Sequence, residues 1–171
     1  MLPPFPSGCR LRTYLHLLQN MLISAPAHPP SDTMQPATSA AIRAVWEKVH
    51  SPKGFPFPST IAALVELGVT RYRADYTAAT VTAYLDGTGE TDVAPLPAKH
   101  EGTSGKQWSL AGLREAIQNA QAGAGNYHDF SAAVVNAGVA DYTTYIVGKK
   151  VVYNGVLGES HTEWFPGAKK D

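Results

Sequence analysis

The chain has 171 residues, 44% of them hydrophobic, and its fourteen basic and fourteen acidic side chains give a formal net charge of zero. That length fits one domain with a proper core, and a neutral chain has no general attraction to nucleic acid or anionic lipid, so neither is expected as a partner. The single cysteine, Cys9, excludes an internal disulfide framework and fits a reducing, cytoplasmic compartment.

Residues 1–38 hold seven of the thirteen prolines. Their one apolar run, Leu11 to Ile23, follows Arg10 and precedes Ala25-Pro26-Ala27, the outline of a secretory signal. His16, Gln19 and Asn20 interrupt it, and it is too short to span a bilayer. We read the segment as a disordered leader, or as an over-extended start ahead of Met34. Cys9 lies within it and is not taken as a nucleophile.

From Ser39 onward the periodicity is clear. Thr38 or Ser39 can cap a helix whose Ile42, Val45, Trp46 and Val49 form one stripe at i, i+3, i+4, i+7. Gly54 and three prolines between Pro52 and Pro58 stop it. Pro58 suits the first turn of a second helix, with Ile61, Leu64 and Val65 as its apolar face and Gly68 at its end. Val69 to Tyr76 alternates as a half-buried strand, with Tyr72, Ala74 and Tyr76 on one face. Thr80 to Leu85 is its hairpin partner, and a third strand runs from Glu90 to Leu96.

The order then recurs. Ser109 caps a helix carrying Leu110, Leu113, Ala116, Ile117 and Ala120. Tyr127 to Ala137 makes another, with Phe130, Val134 and Ala137 inward. Strands follow at Val139 to Val147, Lys150 to Tyr153 and Glu159 to Phe165. Gly68/Gly138 and Tyr72/Tyr142 match at a spacing of 70 residues. After one inserted residue, Tyr84/Tyr153, Glu90/Glu159 and Pro97/Pro166 match at 69. Self-similarity of this kind marks a duplicated unit of helix, helix and three strands. The expectation is one α+β domain over residues 39–167, with halves 39–97 and 109–167 and a connector at 98–108. It would have four helices, about six mostly antiparallel strands and a pseudo-two-fold axis, with the two copies facing each other to bury their apolar sides.

The NYHDF segment, AGV with the tyrosine after it, the GKKVVYNG hairpin and the closing GESHTEWFPG resemble the YdfO-like family of bacterial and prophage domains of unknown function. GVTRYRADY and TVTAYLDGTGE in the first half fit the same pattern. The resemblance covers roughly residues 39–167 and implies a compact α+β fold. Some members carry the label phage envelope protein. It implies no activity and no catalytic residues.

The densest polar cluster is Glu159-Ser160-His161-Thr162-Glu163. On a strand Glu159, His161 and Glu163 share a face at about 6.5 Å spacing, a set suited to a divalent metal or to acid/base work. Glu90 and Asp92 stand at matching positions, and a two-fold axis could bring the acidic pairs together. In the competing structural reading, Glu90 and Glu159 accept hydrogen bonds in their turns and the rest is a solvated face. Ser160 and His161 point to opposite faces of a strand, so they form no nucleophile–base pair. Gly102-Thr-Ser-Gly105-Lys106 lacks the spacing of a phosphate loop, and His100 reads as a loop histidine. Tyr72, Tyr84, Tyr142 and Tyr153 are expected together, as core residues or as the lining of a ligand pocket. Trp164 and Phe165 point to opposite faces, which leaves one at the surface for a partner or a second copy. The leading functional expectation is a non-enzymatic module binding a small molecule or a protein, able to form a homodimer and using no cofactor. The alternatives are a metal-assisted or acid/base enzyme built on Glu159, His161 and Glu163, and a phage structural protein.

Overall fold

The computed structural model describes residues 36–96 and 106–168, which fall within one compact unit, Thr33–Asp171. Cys9 and the apolar run near it, Pro97, His100 and the 102–105 loop lie outside the described residues. The elements are α1 (Pro36–Val49), α2 (Phe57–Glu66), β1 (Arg71–Asp75), β2 (Thr80–Leu85), β3 (Glu90–Pro95), α3 (Leu110–Gln121), α4 (Tyr127–Asn136), β4 (Val139–Tyr145), β5 (Lys150–Gly155) and β6 (Ser160–Trp164). The fold is α+β, and among the described residues each half runs helix, helix and three strands. No helix among them is long and apolar enough to cross a membrane.

The helices follow their apolar stripes. Ile42, Val45, Trp46 and Val49 of α1 are all buried. The helix begins at Pro36, ahead of the expected cap at Thr38 or Ser39, and the Ser39 hydroxyl is used elsewhere. In α2 the buried positions are Thr60 and Leu64, whereas Val65 is 53% exposed. The face is therefore rotated from the one expected. Ser109 caps α3 by accepting from the Gly112 amide at 3.1 Å. Asn126 and Asp129 close a capping box on α4, which fixes its first turn. Gly68 and Gly138 follow α2 and α4 at φ +79° and +86°, the left-handed turn that delivers the chain into a strand.

The sheet has six antiparallel strands in the order β3-β2-β1-β4-β5-β6. The order reads the same from either end with the halves exchanged. In the central β1–β4 ladder, Arg73 pairs with Thr143, and the flanking pairs Tyr72/Thr144 and Ala74/Tyr142 mirror each other at a spacing of 70. The halves therefore join edge to edge in one sheet instead of facing each other. All four helices lie over a single face. Trp46 meets Tyr72, Phe57 meets Phe165, Gln121 meets Glu163 and Phe130 meets Tyr142. The other face, with Arg71, Arg73, Tyr84 and Trp164, carries none of the described helices.

The ladders also correct the sequence alignment. Tyr72 pairs with Ala83 as Tyr142 pairs with Tyr153, so Ala83 is the counterpart of Tyr153 and Tyr84 is not. The two hairpin turns before β2 and β5 match residue for residue. Ala79 and Lys149, 70 apart, hold φ 53° and 51°. The length difference falls in the last turn, where the Gly155 amide bonds the Glu159 carbonyl over three residues, against four between Leu85 and Glu90.

Candidate functional site

The tyrosines of the helix-covered face sit at the centre of the core. Tyr72, Tyr142 and Tyr153 are buried, and Tyr127 of α4 reaches in so that its hydroxyl lies 3.1 Å from that of Tyr142. Tyr72 and Tyr142 meet edge-on at 6.2 Å between ring centres, and Tyr142 and Tyr153 lie 5.5 Å apart. Burial pushes the hydroxyls of Tyr72, Tyr127, Tyr142 and Tyr153 up from their ordinary range, so they stay neutral. They pack like any buried aromatic cluster. Tyr84 does not join them. It lies on the open face, with the Arg71 guanidinium 3.7 Å above its ring.

The acidic residues expected to converge are separated. β3 and β6 are opposite edges of the sheet, five strand spacings or roughly 24 Å apart, so Glu90 and Asp92 cannot meet the β6 cluster. Glu90 accepts from the Thr88 hydroxyl at 3.1 Å within its own turn. Glu159 precedes β6, and its carboxylate accepts from the Leu157 amide at 3.0 Å, which ties it to the turn. That removes it from the row with His161 and Glu163. Among the described residues no three His, Cys, Asp or Glu side chains come together as a metal site. Trp164 and Phe165 are both half-buried, Trp164 under the Lys150 ammonium at 5.0 Å and Phe165 against Phe57. Neither supplies the bare aromatic surface expected of it.

What remains at β6 is a cavity of about 550 Å³, walled by residues 161–168 on one side and by Arg114 of α3 on the other. The register places His161 opposite Tyr153 and Glu163 opposite Val151, both on the helix-covered face. His161 is 15% exposed. Its Nε2 is buried without a hydrogen bond and stands 3.6 Å from the Glu163 carboxylate, too far to count as one. Glu163 is held by the Gln121 amide at 3.2 Å. Arg114 is exposed and has no ion pair among the described residues. The cavity thus offers the Arg114 guanidinium and the Glu163 carboxylate held by Gln121, while the unsatisfied imidazole nitrogen of His161 is buried behind its wall.

The other edge shows why this one is open. Leu113, Ala116 and Ile117 follow Ile42, Val45 and Trp46 at a constant 71 residues, and Arg114 follows Arg43 at the same spacing. His161 follows Asp92 at the 69 that separates Glu159 from Glu90. In the first half Asp92 is buried, accepts from the Ser39 hydroxyl at 2.5 Å and faces Arg43 at 3.4 Å. Both contacts are made by Oδ1, and the Asp92 Oδ2 is buried without a hydrogen bond. In the second half a histidine replaces the aspartate and Leu110 replaces the serine, so Arg114 lacks the counterpart of the Arg43–Asp92 pair. Arg114 carries no motif, and sequence reasoning missed it. Aligning the two leading helices on their buried residues would have paired it with Arg43.

No family model matches the chain, and no curated protein matches it. Geometry and chemistry alone carry the site.

Proposed function

We propose that the protein is a non-enzymatic binding module that holds an anionic group of its ligand in the β6 cavity. The observation that carries this reading is the exposed Arg114 guanidinium, without an ion pair among the described residues, on the wall of a cavity large enough for a small molecule. Arg114 would grip a carboxylate or phosphate. Phe165 and Trp164 would cover the apolar part. A charge-assisted bond of this kind contributes about 1.5–3 kcal/mol, or roughly ten- to a hundred-fold in affinity. Titrating the purified chain with glutarate tests it: saturable binding that falls at least ten-fold in Arg114→Ala is the expected result. No saturable binding at tens of millimolar would refute it.

The contact between His161 and Glu163 favours a second reading, an acid/base enzyme in which the carboxylate orients the imidazole. Glu159 has no part in that reading, because its carboxylate is spent on the turn. The mirror-symmetric strand order and register support an ancestral doubling of the helix-helix-strand-strand-strand unit. A cytoplasmic setting belongs to the same proposal and is supported by the single cysteine. A phage structural role rests on the sequence resemblance alone.

A further inference from the structure

We infer that the ligand of this cavity is a zwitterion, an α-amino acid with an apolar side chain, whose carboxylate meets Arg114 and whose ammonium meets Glu163. The inference rests on the binding reading above and goes on to name the ligand class. Three observations lead to it.

The first is that the cavity wall carries a charge of each sign. Arg114 stands on α3 and Glu163 on β6, and among the described residues the two form no ion pair with each other. Glu163 is 36% exposed. Its Oε1 accepts from the Gln121 amide at 3.2 Å. Its Oε2 accepts no hydrogen bond among the described residues and stands 3.6 Å from the His161 Nε2. A ligand with only anionic groups sets a like charge near Glu163, and one with only cationic groups does the same near Arg114. A molecule carrying both charges meets an opposite partner at each. His161, whose Nε2 is buried, takes no part in holding it.

The second is the spacing, for which the opposite edge serves as an internal control. There Arg43 and Asp92 touch at 3.4 Å, which leaves no room between them. Arg114 keeps the place of Arg43, but the carboxylate moves. His161 stands where Asp92 stood, and Glu163 follows Ala94 by the same 69 residues. The anion has shifted two residues along its strand, roughly 6.7 Å, while staying on the helix-covered face. A contact ion pair thereby becomes two charges held apart. One carbon separates the ammonium of an α-amino acid from its carboxylate, and a charge-assisted bond of about 2.8 Å at each end lets that short frame span the gap.

The third is the apolar wall beyond the charges. Phe165 follows Glu163 on the helix-covered face and packs against Phe57, and Pro166 and Ala168 continue the lining past the end of the strand. The two charges thus fix the head of the ligand, and residues 165–168 receive its side chain. A cavity of about 550 Å³ has room for the apolar amino acids.

The experiment titrates the full chain with L-leucine, 4-methylpentanoate and 3-methylbutylamine by isothermal titration calorimetry. The three share a branched hydrocarbon chain; the second lacks the ammonium and the third lacks the carboxylate. Leucine is expected to bind at least ten-fold tighter than either, and tighter than glutarate. Glu163→Gln should weaken leucine at least ten-fold while 4-methylpentanoate stays within about two-fold or tightens, a split that general damage to the fold does not produce. Arg114→Ala should weaken leucine and 4-methylpentanoate alike. If Glu163→Gln fails to fold, the ranking of the three ligands on the wild-type chain decides alone. Leucine binding no tighter than 4-methylpentanoate or 3-methylbutylamine, or unchanged in a folded Glu163→Gln, would overturn the zwitterion. If 4-methylpentanoate or glutarate still binds through Arg114 in that case, the binding reading stands. If no ligand binds at tens of millimolar, or if leucine binding survives Arg114→Ala, both fall.

Discussion

Gly68 and Gly138 occupy the same point of the two halves, yet alanine should cost very different amounts at each. Both hold positive φ, and an L-residue there costs about 1–2 kcal/mol. Losing glycine's freedom in the unfolded chain returns roughly 0.4–1 kcal/mol. At Gly68 a Cβ would meet nothing closer than the Leu85 Cδ2 at 3.8 Å, an ordinary contact. Gly68→Ala should therefore lose about 1 kcal/mol. At Gly138 the same Cβ would lie 2.7 Å from the Trp108 Cα and 2.8 Å from the Gln107 carbonyl. These are backbone atoms, held by the bond from the Ser109 amide to the Ala137 carbonyl at 2.8 Å, and they cannot swing aside. Overpacking adds about 1–3 kcal/mol, which brings Gly138→Ala to about 2–4 kcal/mol. Urea unfolding followed by circular dichroism, with equal slopes for the two variants, measures the difference. Losses equal within about 0.5 kcal/mol would refute the close packing of the segment before α3 against α4.

Three further outcomes follow from the packing. His50, at the end of α1, is held neutral chiefly by burial and secondly by neighbouring His128, with its pKa lowered to about 4 from 6.5. Its contribution is complete above pH 6.5 and is lost as pH falls from 6.5 towards 4. The shift would give about 3 kcal/mol if fully buried, and solvent screening of this half-buried ring reduces that to about 1–2 kcal/mol. His50→Asn should flatten the acid limb of a stability–pH curve; an unchanged limb would sink the argument. Tyr127→Phe removes a buried hydroxyl 3.1 Å from that of Tyr142, and should cost about 1 kcal/mol in urea unfolding without changing the fold. Leu113→Ala empties a fully buried site under the sheet and should cost about 2–5 kcal/mol, where a loss below 1 kcal/mol would contradict its place in the core.

Periodicity carried the element order, because the α1 stripe and the alternation of Tyr72, Ala74 and Tyr76 are local signals. The arrangement of strands was not local. Nothing in either three-stranded unit states which strand will pair with the other copy, and β1–β4 pairing set the halves side by side. That single fact sent β3 and β6 to opposite edges and separated Glu90 and Asp92 from His161 and Glu163. Matching Tyr84 to Tyr153 followed residue identity across a gap. Ladder register places the gap in the last turn and Tyr84 on the outer face. His161 and Glu163 were legible as a shared strand face. Arg114 was not, because a lone arginine on the exposed side of a helix resembles any solvated charge until the equivalent Arg43 is seen against Asp92.

The most direct test of the β6 site is a titration of the ¹⁵N-labelled chain with glutarate, followed by amide chemical shifts. The account predicts saturable shifts confined to residues 161–168 and the Arg114 turn of α3, and their loss in Arg114→Ala. Shifts centred instead on the groove between α3 and α4 around Gly112 and Asn119, or none at tens of millimolar glutarate, would contradict it.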